Sequence, residues 1–121
     1  MKPVWIVDDD RSIRWVLEKA LAREQIAHKS FASAVDALAA LDAGEVPQVL
    51  LSDIRMPEMR GDEFLAYLKL NELFKQIPVV MLSSEDSTSE RIRLLEEGAE
   101  DYIVKPFNPQ ELKIRIKKIL D

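Results

Sequence analysis

Cysteine is absent and histidine occurs once among the 121 residues, which excludes a disulfide framework and a thiolate metal site. Three glycines with no G-x-G-x-x-G run exclude a dinucleotide-binding fingerprint. Long hydrophobic runs are also missing. After Met1-Lys2-Pro3 only Val4-Trp5-Ile6-Val7 precede Asp8, so neither a signal-peptide core nor a membrane span is expected and the expected location is cytoplasmic. Positive charge is in deficit: 17 Lys and Arg face 22 Asp and Glu, for a net charge of −5. That balance argues against direct gripping of a nucleic-acid backbone, so any role in gene control is expected to pass through another domain. No repeat, low-complexity tract or Gly/Ser linker interrupts the chain. Residues 1–121 read as one domain around one core, either standing alone or cut from a longer protein after its last helix.

What is present is a regular alternation. Val4–Val7, Val49–Leu51, Val79–Leu82 and Tyr102–Val104 are apolar on successive residues, the pattern of strands covered on both faces. Ala27–Phe31 is a weaker candidate. Helical spacing fills the intervals, beginning with Arg11–Arg23, where Ile13, Leu17, Ala20 and Leu21 share a face. Ser87-Thr88-Ser89-Glu90 has capping-box spacing, Gly98 suits a left-handed helix end, and Asn108-Pro109-Gln110-Glu111 places a cap, a proline and an acid in order. Five βα units with right-handed crossovers and one reversal of winding predict an α/β, flavodoxin-like (βα)5 sandwich with parallel strand order 2-1-3-4-5. Ligands of such sheets bind beyond the carboxyl ends of the strands, at the reversal between strands 1 and 3.

Those two ends carry Asp8-Asp9-Asp10 and Ser52-Asp53. Carboxylates ~5 Å apart at an effective dielectric of ~20 repel by about 3 kcal/mol per pair, so the cluster calls for a cation or a bound proton. An oxygen-only donor set selects Mg²⁺, with Mn²⁺ as the alternative, over zinc. Magnesium in turn suggests phosphoryl chemistry, with Asp53 as the nucleophile that becomes an acyl phosphate and Asp8 and Asp9 as metal ligands. Strand 4 ends in Ser83-Ser84 and strand 5 in Lys105-Pro106, a hydroxyl and an ammonium suited to phosphoryl oxygens. Each residue has a plainer reading. Asp near a helix start is a common cap, Ser83 can cap a helix, and Lys105 can be a surface lysine. The convergence of four strand ends favours the site.

At these residues the chain resembles, over its whole length, the receiver domain of two-component response regulators: "VDDD", "LLSDIRMP", "VVMLSSE" and "YIVKPF" match that family in order and spacing. The resemblance implies Asp53 as phosphoacceptor and Asp8 and Asp9 as the acidic pair, with Arg55 lending a backbone carbonyl to Mg²⁺. Ser83 is then the switch hydroxyl, Lys105 the phosphate-binding lysine and Tyr102 the switch aromatic. It further implies a sensor histidine kinase as phosphodonor, an output domain if the chain is part of a longer one, and no enzymatic activity beyond self-catalysed phosphorylation and dephosphorylation. Switching is expected on the face made by helix 4, strand 5 and helix 5, where Arg91, Arg93, Glu96, Glu97, Glu100, Asp101, Arg115 and Lys118 mix both signs.

The two halves resemble different classes of receiver. "VWIVDDDRSIRWVLEKALA" and "LLSDIRMP" are similar to the nitrogen-regulatory class. "GAEDYIVKPFNPQELKIRIKKIL" is similar to receivers with winged-helix outputs, which dimerise through that switching face. This implies a chimera, natural or engineered, joined between about Ser52 and Gly61. Arg60 stands where the family usually has aspartate, at the pocket mouth, and His28 reads as structural. Two other readings compete. A haloacid-dehalogenase-like phosphohydrolase would use Asp8 and Asp10 as its D-x-D and leave Asp53 idle. A pure interaction module would show gaps in the acidic pocket, where every expected side chain is present.

Overall fold

The computed structural model describes residues 2–121. Five strands, β1 (Val4–Val7), β2 (His28–Phe31), β3 (Val49–Asp53), β4 (Val79–Ser83) and β5 (Asp101–Val104), alternate with five helices. The helices are α1 (Arg11–Arg23), α2 (Ala34–Asp42), α3 (Gly61–Leu70), α4 (Thr88–Glu96) and α5 (Pro109–Leu120). All strand pairs are parallel and the order is β2-β1-β3-β4-β5, the flavodoxin-like arrangement expected.

Alternation along each central strand divides the interior in two, because successive side chains point to opposite faces. Trp5, Val7, Leu50, Val79 and Met81 meet Ala37 and Leu41 of α2, Phe64, Leu65 and Leu68 of α3, and Leu94 of α4. On the other face Val4, Ile6, Val49, Leu51, Val80, Leu82 and Ile103 meet Leu17 and Leu21 of α1 and Leu112 and Ile116 of α5. Both faces are covered, which is why the strands read as unbroken apolar runs. β2 reads weakly because it is an edge strand in which only Phe31 is buried.

β3 and β4 run further than their apolar residues suggested, taking in Ser52-Asp53 and Ser83. β5 starts one residue early, at Asp101, whose carboxylate accepts from the Tyr102 amide. Helix ends follow the sequence at three of the anticipated points. Ser87 caps α4 by accepting from the Glu90 amide, Gly98 takes φ 110 beyond the end of α4, and Asn108 caps α5 with Pro109 in its first turn. The described residues form no helix long and apolar enough to cross a membrane.

Candidate functional site

Register builds the site. Val7 pairs with Ser52, Asp53 with Leu82 and Ser83 with Val104, so Asp8, Asp53, Ser83 and Lys105 leave or end four strands at the same edge of the sheet. Asp8 is fully buried and its carboxylate is fixed from two sides. Oδ1 accepts from the Asp10 amide at 2.8 Å and Oδ2 accepts from Lys105 Nζ at 2.8 Å. The same ammonium donates to Asp53 Oδ1 at 3.1 Å. Asp53 is 8% exposed, and Ser52 Oγ donates to its carbonyl. Carboxylate oxygens of Asp8, Asp9 and Asp53 all lie within 4.8 Å of one another, with Asp9 the exposed member.

One ammonium shared by two buried carboxylates leaves net negative charge. Burial, reinforced by the charge of Asp8, holds the Asp53 carboxyl above its ordinary value, and the opposing pull of Lys105 does not cancel it. Burial works against the Lys105 ammonium, but its hydrogen bonds to and charge attraction by Asp8 and Asp53 prevail and keep it protonated beyond the usual lysine range. Three oxygen donors around uncompensated charge, with neither thiolate nor imidazole, fit a hard divalent cation.

Asp10 does not join the cluster through its side chain. Its carboxylate caps α1, accepting from the Ser12 amide at 2.8 Å and the Ile13 amide at 3.3 Å, so the plainer reading holds for this one residue of the triplet. The phosphohydrolase reading loses its second aspartate to that cap. Ser83 is buried, but its hydroxyl donates to Glu90 Oε1 at 3.1 Å and accepts from the Glu85 amide at 3.0 Å. Tyr102 is likewise buried, its phenol oxygen 2.6 Å from Glu90 Oε1 and 2.8 Å from the Glu85 carbonyl. The Arg55 side chain pairs with Glu85. Arg60 pairs with Asp62 at 3.1 Å at the start of α3, and His28 Nδ1 lies 3.1 Å from the Ile26 carbonyl, a structural contact.

Two contributors were not anticipated from the sequence. Arg14 reaches back from α1 to donate to the Asp8 carbonyl at 2.6 Å. Gly61 packs the start of α3 onto the tip of β3, its amide donating to the Ile54 carbonyl at 2.7 Å. A Cβ on Gly61 would sit 1.9 Å from the Asp53 carbonyl oxygen. The glycine in "MRGDEF" was the available signal for that close approach.

Residues 4–117 match the family model described as the response regulator receiver domain. The DNA-binding transcriptional regulator NtrC of Proteus hauseri is 42% identical over 117 residues, 97% of this chain and 24% of the relative. The chain therefore spans about a quarter of the length of that relative. Among solved structures, the chemotaxis response regulator CheY4 of Vibrio cholerae superposes with a TM-score of 0.89 at 31% identity, covering 98% of both chains. A DrrB receiver domain described as BeF3-activated superposes with a TM-score of 0.86 at 29% identity, covering 99% of this chain and 97% of that one. The expectation of a chimera joined between Ser52 and Gly61 finds no support here. The family model and the nitrogen regulator both match through both halves. The pocket's geometry, the family match over residues 4–117 and the relatives agree: the chain belongs to the response regulator receiver domain family.

Proposed function

We propose that residues 1–121 form one receiver unit that takes a phosphoryl group from a phosphohistidine of a sensor kinase onto Asp53. The observation that carries this reading is the Lys105 ammonium held 2.8 Å from Asp8 and 3.1 Å from Asp53, beside three converging carboxylates. Asp53 presents an oxygen that forms the new P–O bond as the donor's P–N bond breaks. Asp8, Asp9, Asp53 and the Arg55 carbonyl would hold Mg²⁺, or Mn²⁺, which neutralises charge on the phosphoryl oxygens when bound. Lys105 then exchanges its Asp53 partner for a phosphoryl oxygen while Asp8 keeps it in place.

Ser83 serves as the switch hydroxyl by turning from Glu90 to the phosphoryl group, and Tyr102 follows through their shared acceptor. The readout surface is α4-β5-α5. Its charges pair within the chain, Arg115 with Asp101 at 2.9 Å and Arg93 with Glu97 at 3.0 Å, while Ile92, Leu95 and Ile114 are exposed. A homodimer through this face would cover those side chains and exchange some of these pairs between copies. An output domain in a longer chain, a cytoplasmic location and turnover limited to self-catalysed phosphorylation and dephosphorylation complete the proposal.

The test is phosphate incorporation from a small phosphodonor with Mg²⁺. Hydroxylamine-sensitive label lost in Asp53→Asn but retained in Asp10→Asn supports the reading. Label that survives in Asp53→Asn contradicts it.

A further inference from the structure

Glu90 occupies the third position of α4, three residues after its Ser87 cap, the place from which a glutamate ordinarily turns back to the cap's own amide. Glu63, at the same position of α3, does so, accepting from the Arg60 amide at 3.1 Å. Glu90 turns inward instead. Its Oε1 is the common acceptor for the Tyr102 phenol at 2.6 Å and the Ser83 hydroxyl at 3.1 Å. A hydroxyl has one proton to donate, and that of Ser83 is committed to α4, not to the Asp53 pocket. Arg91, the next residue of α4, lies over the Tyr102 ring at 5.5 Å.

The helix so attached has little else to hold it. Leu94 is the one buried residue of α4, against four each in α2 and α3. Its position therefore depends heavily on polar contacts, and hydrogen bonds to an ionised acceptor are the stronger kind.

We propose that Glu90 is a positioning residue that holds Ser83 and Tyr102 in the unphosphorylated arrangement and so opposes phosphoryl binding at Asp53. The inference rests on the function proposed above. A phosphoryl oxygen and the Glu90 carboxylate compete for the same Ser83 proton, and the ligand must displace the carboxylate before it gains that contact. Removing the competitor shifts the population toward the ligand-ready state by the strength of one charge-assisted hydrogen bond, about tenfold in affinity.

The experiment measures binding of beryllofluoride with Mg²⁺ to the 121-residue chain by calorimetry, in the native sequence, Glu90→Ala, Glu90→Gln, Asp53→Asn, Ser83→Ala and Ser83→Ala/Glu90→Ala. Glu90→Ala is expected to bind about tenfold tighter and Glu90→Gln, which keeps size and an acceptor, to gain less. The gain is expected to vanish in the Ser83→Ala background. A second readout needs neither metal nor beryllofluoride: amide relaxation dispersion at Ser83 and Tyr102 is expected to reveal new exchange in Glu90→Ala. Glu90→Gln keeps the test open should the alanine variant unfold. Native-like or weaker binding in the folded Glu90 variants, with native binding abolished by Asp53→Asn, overturns the Glu90 inference and leaves the proposed function standing. Native binding that is absent, or that survives Asp53→Asn, overturns both.

Discussion

Asp53 sits where burial and the neighbouring Asp8 charge both disfavour ionisation, and the shared ammonium, helped by the Ile54 amide, offsets them only in part. A carboxyl whose folded pKa lies above its unfolded value contributes less stability as pH rises from the ordinary value of 3.8 through the raised one. At neutral pH the charged side chain is therefore a net cost. Asp53→Asn is expected to stabilise the metal-free chain at pH 7 by about 1 kcal/mol, a Tm rise of about 4 °C. The gain should disappear below the ordinary carboxylate range. Lys105 runs the other way. Its stabilising contribution is complete below 10.5 and is lost as pH climbs through its raised folded value. Lys105→Met, which strands two buried carboxylates, should cost about 3 kcal/mol at pH 7 in a metal-free denaturant titration. At this scale the sequence was informative about residue types and less so about partners. Asp8, Asp53 and Lys105 were legible because each ends or directly follows a strand. The role of Glu90 was not, since a glutamate three residues after a cap reads as closing a capping box whether it turns back, as Glu63 does, or inward, as Glu90 does.

Among the elements, β1 matched its apolar run residue for residue, while β3 and β4 extended past theirs into Asp53 and Ser83. Hydrophobic patterning marks where a strand is covered; backbone pairing continues until the ladder ends, and here the polar residues beyond the core carry the site. Helix termini were legible where a backbone need selects the residue. Gly98 at φ 110 is one case, and Gly98→Ala should lower stability by about 1 kcal/mol in thermal melts. Gly61 has a different constraint, a backbone oxygen 1.9 Å from any added Cβ. Gly61→Ala should cost about 3 kcal/mol and reduce phosphate incorporation as well, because relief requires the tip of β3 or the start of α3 to move.

For the whole molecule, the reversal of winding between β1 and β3 assembles a pocket from segments nearly a chain length apart, as the Lys105–Asp8 contact shows. Topology was legible from the βα alternation and the handedness rule. The apparent difference between halves was a local likeness that the continuous relatives did not sustain. A site built by four strand ends links metal binding to global stability. Mg²⁺ at about a hundred times its dissociation constant should raise stability by about 2.7 kcal/mol, and a melt of Asp8→Asn should show a much smaller gain.

The most direct measurement is to phosphorylate the chain with a small phosphodonor and Mg²⁺, reduce the product with borohydride, and locate the reduced residue by peptide mass spectrometry. Homoserine at position 53 alone is the predicted result. Reduction at position 8 or 9, or none at all in a chain that has taken up phosphate, would contradict the account.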